Sequence, residues 1–256
     1  MISNKKENIL GVDIGGSKIR MVLWNGKKVL KEWQSETANL ENLKKGLDFF
    51  NGALGSTYSK IGVGLPGLLD FKNNQALFCK NLPAFNKVNL KACFPVEVKM
   101  DNDAKCFLRA EINAFKGKKP EYVLGIIFGT GIGGAFTNEK LKTKNEKFED
   151  EVIYRGKDSW AGEFGHMIMD KGKTWEKLYQ ETKNNPKEQE KINAIGMANL
   201  INIFNPELII LGGKGVTKPN LKTIEKYLLV KKQMPKFIFS KLGDNAVALG
   251  ATFLWN

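Results

Sequence analysis

Residues 9–24 read ILGVDIGGSKIRMVLW, and residues 122–136 read YVLGIIFGTGIGGAF. In each, a β-branched apolar run enters a glycine-rich turn and a second short apolar run leaves it, which predicts strand, tight turn, strand. The unit occurs twice, once in each half of the chain. Glycines in such turns let consecutive backbone N–H groups approach phosphate oxygens with no Cβ in the way. Two turns of this kind would clamp a polyphosphate from both sides, although each alone also reads as an ordinary hairpin. Two residues favour the phosphate reading. Asp13 ends an apolar strand, where a carboxylate is costly unless it holds a cation. Thr130 offers a hydroxyl inside the second turn. Gly129, Gly131 and Gly134 also fit G-x-G-x-x-G, but a dinucleotide site needs a helix directly after the glycines. Here AFTNEKL follows, which reads as a strand ending in a turn. No G-x-x-x-x-G-K-[ST] is present, so P-loop chemistry is excluded.

Outward from the first hairpin, a helix is predicted over 41–54, with Leu43, Leu47 and Phe50 on one face. Strands are predicted over 61–65 and 95–100, and a helix over 102–115, starting at Asn102 or Asp103. After the second hairpin come a strand at 149–155, a long helix at 187–204 running into Asn205-Pro206, and a strand at 207–211 meeting Gly212-Gly213. A helix at 220–230, a strand at 236–240 and a helix at 244–254 finish the chain. Strands alternating with helices predict an α/β fold with predominantly parallel layers. The repeated order predicts two related lobes with a ligand cleft between them. The KGKKP stretch at 116–120 is the natural boundary. It gives a small N-terminal lobe over 1–117 and a larger C-terminal lobe over 118–243, with the helix at about 244–256 packing back on the first.

The 256 residues carry 40 Lys+Arg and 27 Asp+Glu, for a net charge of +13, with 42% hydrophobic residues. That composition is globular rather than disordered. The lysines are dispersed among acids, with no arginine stripe or basic-aromatic motif, so no nucleic-acid partner is expected. The charge would instead steer anionic nucleotides. No apolar run approaches the ~20 residues of a membrane span, and the N-terminus lacks a signal-peptide core. A cytoplasmic protein with no membrane partner is expected. Cys79, Cys93 and Cys106 are widely spaced, without C-x-x-C, which predicts neither a disulfide framework nor a structural zinc. His166 is the single histidine, so any histidine-dependent chemistry runs through it.

Read in order, the motifs resemble the ROK family of sugar kinases, within the actin-like ATPase and hexokinase superfamily. The residues are Gly11-Val12-Asp13-Ile14-Gly15-Gly16-Ser17-Lys18, Gly62-Val63-Gly64-Leu65-Pro66-Gly67, Asn81-Leu82-Pro83 and Asn102-Asp103-Ala104. They continue through Gly129-Thr130-Gly131-Ile132-Gly133-Gly134, Gly162-Glu163-Phe164-Gly165-His166, Asn205-Pro206-Glu207, Gly212-Gly213 and Gly243-Asp244-Asn245-Ala246. The ordered set spans nearly the whole chain. The resemblance implies a two-lobed actin-like ATPase (ribonuclease H-like) fold with an inter-domain cleft. It also implies transfer of the γ-phosphoryl of Mg·ATP to a hexose hydroxyl, with O6 of glucose as the default. A fructokinase or an N-acetylhexosamine kinase is the nearest alternative. A catalytically inactive sugar- or nucleotide-binding relative is another. Repressors of the family carry a helix-turn-helix domain ahead of the first hairpin, and the eight residues before Ile9 lead us to expect none here.

A sugar hydroxyl is a poor nucleophile, so a placed carboxylate must take its proton as the P–O bond forms. Asp103, at a strand-to-helix junction beside Asn102, suits that role, while the same pair would also serve as a helix cap. By the resemblance, Asp13 holds Mg²⁺, directly or through water. Gly15, Gly16, Ser17 and Lys18, with Gly129, Thr130 and Gly131, cradle the ATP phosphates, and Gly212 and Gly213 border the adenosine. Gly64, Asn102, Glu163 and His166 contact the sugar. Many ROK proteins also bind zinc through this histidine and a cysteine-rich segment that ends in a sugar-contacting glutamate. Here 167–178 reads MIMDKGKTWEKL, without cysteine, so zinc is not expected and Glu176 is the remaining sugar-contact candidate. The chain is short for the family, implying trimmed loops. A homodimer remains open.

Overall fold

The structure is a computed structural model and describes residues 7–36, 38–52, 58–71, 73–116, 120–137 and 153–255. The chain divides into two compact units of nearly equal length. One comprises Met1–Ala114, Asp158–Trp160 and Asp244–Asn256, the other Phe115–Lys157 and Ala161–Gly243.

In the first unit, β1 (Ile9–Ile14) turns into β2 (Ile19–Trp24), which pairs antiparallel with β3 (Val29–Ser35). Helix α1 (Leu40–Asn51) starts where the Asn39 side chain accepts the Asn42 N–H, and it packs its glycine, Gly46, against Met21 and Trp33. Strand β4 (Lys60–Leu65) lies parallel to β1. A short hairpin of β5 (Leu68–Asp70) and β6 (Gln75–Phe78) and the one-turn α2 (Leu90–Cys93) lead to β7 (Glu97–Asn102), parallel to β4. Helix α3 (Asp103–Ala114) follows with no intervening loop. The sheet order is β3-β2-β1-β4-β7.

In the second unit, β8 (Val123–Phe128) and β9 (Ile132–Phe136) form the second glycine hairpin. A small hairpin of β10 (Ile168–Asp170) and β11 (Lys173–Thr174) runs straight into α4 (Trp175–Glu181) and then α5 (Pro186–Phe204). Strand β12 (Leu208–Gly212), helix α6 (Leu221–Lys226) and strand β13 (Lys236–Phe239) complete a sheet of order β13-β12-β8-β9. Trp175 is fully buried in this core, filling the space over Gly196, and its indole N–H bonds Asn193 Oδ1 at 3.1 Å.

Helix α7 (Ala246–Thr252) belongs to the first unit. A Cβ on Gly11 would overlap the Ala248 carbonyl, one on Gly62 the Ala251 carbonyl, and one on Gly250 the Cys106 carbonyl. Small residues on both sides therefore let α7 lie directly on β1, β4 and α3.

The α/β class stands as expected, but the layers are mixed. β1, β4 and β7 run parallel, as do β8, β12 and β13, while each glycine hairpin adds antiparallel strands. Most predicted elements shift by a few residues. The helix expected over 220–230 stops at Lys226, where the Asn202 amide donates to the Tyr227 carbonyl and its Oδ1 accepts the Leu229 N–H. The expected 149–155 strand and the 116–120 boundary lie partly outside the described residues. Within them, Ile153 makes an isolated bridge to Thr137. Among the described residues, Cys79, Cys93 and Cys106 form no disulfide. No helix among the described residues is long and apolar enough to cross a membrane.

Candidate active site

In the first unit the β1–β2 turn closes with the Gly15 N–H on the Lys18 carbonyl at 2.9 Å, leaving Gly16 and Ser17 exposed at its tip. The Lys18 ammonium pairs with the Glu36 carboxylate on the far side of β2. Hairpin register sets Asp13 opposite Arg20. One guanidinium nitrogen lies 3.6 Å from Asp13 Oδ2, and the other lies 2.8 Å from Asp244 Oδ2. Asp13 is buried, and burial, with the Asp103 carboxylate and more weakly Asp244, pushes it up to about 7 against the pull of Arg20. Asp13 and Asp244 share the Arg20 guanidinium, and the Asp103 charge acts on Asp13 as well. A buried carboxylate at the mouth of a glycine turn suits a divalent cation. Mg²⁺ commonly takes one or two carboxylates and fills its remaining positions with phosphate oxygens and water. Among the described residues, no three His, Cys, Asp or Glu side chains gather as a self-sufficient metal cage. Asp13 would therefore hold such an ion only together with substrate oxygens.

At the β7–α3 junction, Asn102 Oδ1 accepts the Ala104 N–H at 3.0 Å and the Lys105 N–H at 3.4 Å. Capping thus falls to Asn102. Asp103, half-buried as the first residue of α3, also takes the Ala104 N–H, at 2.8 Å. Burial first, and then the Asp103 charge, raises both Asp13 and Cys79, which places Asp103 near these groups. Behind it, Asp101 is fully buried and paired with Arg109 at 2.9 Å. The buried Lys105 donates to the Ser159 carbonyl at 2.9 Å. Gly64 lies against the Val247 methyl and Cys106, so its missing side chain answers a packing need of α3 and α7.

In the second unit the 129–131 turn closes with the Gly129 N–H on the Gly131 carbonyl at 2.9 Å, and Gly129 and Thr130 are exposed. Glu163 precedes and His166 ends a single 3-10 turn (Phe164–His166), with the His166 N–H on the Glu163 carbonyl at 3.0 Å. Both side chains are exposed. Phe164 covers Gly134, and Gly165 lies against Ile132. This packing sets the Glu163/His166 pair on β9, immediately after the glycine turn. Glu176 packs its Cβ against Gly165, between Glu163 and His166. Its Oε2 accepts the Ile132 N–H at 3.1 Å, and its carboxylate fills the space where Gly131 lacks a Cβ. Gly213, with φ of 88°, turns the chain after β12 against the Phe128 carbonyl, which also accepts the Gly215 N–H at 2.9 Å. The Gly212-Gly213 bend thus sits at the end of β8, where the glycine turn begins.

The sequence reading assigns no role to Arg20 and Asp244 in the first unit, nor to Gln180 in the second, whose amide donates to the Thr130 carbonyl. Arg20 was recoverable, since a tight turn between Asp13 and Arg20 makes them cross-strand partners. Asp244 arrives from 224 residues away, and no local pattern announces it.

Residues 9–184 and 173–256 match the ROK family. The N-acetyl-D-glucosamine kinase of Erwinia tasmaniensis is 26% identical over 95% of this chain and 98% of its own length. That of Vibrio parahaemolyticus is 28% identical over the same shares. Among solved structures, a ROK family glucokinase from Streptomyces griseus, in complex with glucose and AMPPNP, superposes with a TM-score of 0.77 at 22% identity, covering 96% of this chain and 98% of its own. ROK hexokinase from Thermus thermophilus gives 0.72 at 22% identity, covering 96% of each chain. The fold is that of the actin-like ATPases. With the match running from β1 to the C-terminal helix and taking in both glycine hairpins, the chain belongs to the ROK family.

Proposed function

We propose that this protein is an ATP-dependent sugar kinase that transfers the γ-phosphoryl of Mg·ATP to the O6 hydroxyl of a hexose, with Asp103 as general base. The observation that carries the reading is the β7–α3 junction. There Asn102 takes over the capping, and Asp103 lies within electrostatic reach of Asp13, at the end of β1 where the first glycine turn starts. Asp103 accepts the hydroxyl proton as the new P–O bond forms. The turns at 15–18 and 129–131 supply backbone N–H groups to the phosphate oxygens, a fixed set of dipoles that needs no reorganisation during transfer. Glu163 and His166 hold neighbouring sugar hydroxyls. Asp13 holds Mg²⁺, which, when bound, neutralises charge on the phosphates.

The curated relatives named above are N-acetyl-D-glucosamine kinases, so N-acetyl-D-glucosamine is the sugar to try first. Glucose, the sugar bound to the Streptomyces griseus enzyme, comes second. The test is a panel of N-acetyl-D-glucosamine, N-acetyl-D-mannosamine, glucose, mannose and fructose with Mg·ATP, reading ADP release and locating the phosphate on the product by NMR. Sugar-dependent ADP release with phosphate on O6 is expected. Sugar binding without turnover across the panel would replace this reading with that of an inactive binding protein.

A further inference from the structure

The β8–β9 turn is held from one side by a single helix face. Glu176 and Gln180 lie one helical turn apart on α4, so their side chains share a face. Glu176 Oε2 accepts the Ile132 N–H at 3.1 Å, and the Gln180 amide donates to the Thr130 carbonyl. Between them Tyr179 packs on Phe128 at 5.7 Å between ring centroids, and its hydroxyl fills the space where Gly215 lacks a Cβ. The helix is itself pinned by Trp175, buried against Gly196 and bonded to Asn193 on α5.

The planar peptide turns these two bonds into an orientation device. C=O and N–H of one trans peptide point in opposite directions. Fixing the Thr130 carbonyl on Gln180 therefore aims the Gly131 N–H away from α4. The Gly131 carbonyl is engaged by the Gly129 N–H, which in turn directs the Ile132 N–H towards Glu176. Among the described residues no hydrogen bond falls on the N–H groups of Thr130 or Gly131. These are the donors left for a ligand. Glycines on either side of Thr130 make a peptide flip cheap, and a flipped Thr130–Gly131 peptide would present a carbonyl oxygen to an anion.

We propose that α4 locks the 129–132 turn in its anion-binding form, and that Glu176 and Gln180 are positioning residues for the nucleotide phosphates. The proposal rests on the reading of this turn as a phosphate cradle. It gives Glu176 a part in nucleotide affinity through the 129–132 turn.

The test is calorimetric titration of Mg·ADP, with KM for ATP and for the sugar, on wild type and on Glu176→Ala, Glu176→Gln, Gln180→Ala and Gly129→Ala. A Cβ on Gly129 meets nothing within 4 Å, so that variant keeps the fold and places a methyl on the exposed turn. Glu176→Ala and Gln180→Ala are each expected to weaken ADP about tenfold and to raise the KM for ATP alike, with the sugar KM of Gln180→Ala within about twofold. Glu176→Gln keeps an acceptor for Ile132 and is expected to bind ADP like wild type. If Glu176→Ala raises the sugar KM and spares ADP, or if Glu176→Gln is as impaired as Glu176→Ala, the proposal is overturned. Gly129→Ala separates the two layers. Weakened ADP there, with Glu176→Ala and Gln180→Ala unaffected, removes the brace and keeps the cradle; unchanged ADP in Gly129→Ala removes both.

Discussion

Asp13 keeps its proton up to about pH 7 because burial and the Asp103 charge outweigh the nearby Arg20 guanidinium. The folded chain thus binds this proton more tightly than the unfolded chain, whose aspartate titrates near 3.8. The resulting stabilisation is full below about pH 4 and is lost as pH rises through 7. An asparagine carries no charge at any pH. Asp13→Asn is therefore expected to gain on wild type in thermal melts without Mg²⁺ or nucleotide, and to gain more at pH 8 than at pH 5, by on the order of 2 kcal/mol. An identical gap at both pH values would contradict a buried, proton-hungry Asp13. Asp103 makes a different demand. Asp103→Asn preserves shape and removes the base, so kcat should fall by roughly 10²–10⁴ while calorimetric sugar affinity stays within a few-fold. Turnover near the wild-type rate would refute the assignment. Both aspartates are legible in the chain, one at the end of an apolar run and one at a strand-to-helix junction. Their mutual influence is not, because it depends on β1, β4 and β7 lying side by side.

Glycine marks very different demands from one element to the next. At Gly62 a Cβ would overlap a backbone carbonyl of α7, which cannot swing aside, whereas at Gly129 it meets open space. Gly62→Ala is accordingly expected to cost about 1–3 kcal/mol by overpacking, and Gly129→Ala to melt within about 0.5 kcal/mol of wild type. Paired thermal denaturation checks this, and equal losses would mean that α7 does not rest on β4. Both hairpins can be read from the chain because apolar runs and glycine turns are local signals. Strand β3, VLKEWQS, is harder to read: charged residues interrupt its apolar ones, and it exists through its pairing with β2. The contact of Glu176 with Ile132 is equally hidden. It follows from where Trp175 anchors α4, and nothing in the spacing of residues 167–178 specifies that anchor.

Across the molecule the +13 charge acts on one substrate class and spares the other. ATP is a polyanion and hexoses are neutral, so screening should weaken capture of the first alone. With a Debye length of about 10 Å at 0.1 M salt, raising NaCl from about 50 to 300 mM is expected to increase the KM for ATP several-fold. The sugar KM should stay flat, and a parallel rise in both would mean that salt acts on the fold. One architectural detail bears on how such a molecule is made. Helix α7 closes the sheet that begins at β1, yet it is encoded after every residue of the second unit. During translation the later-encoded half can therefore finish folding first, while the earlier-encoded half waits on the ribosome with the faces of β1 and β4 that α7 will cover still bare. A stalled or truncated nascent chain lacking residues 244–256 should be a ready client for chaperones, and one extended past them should not.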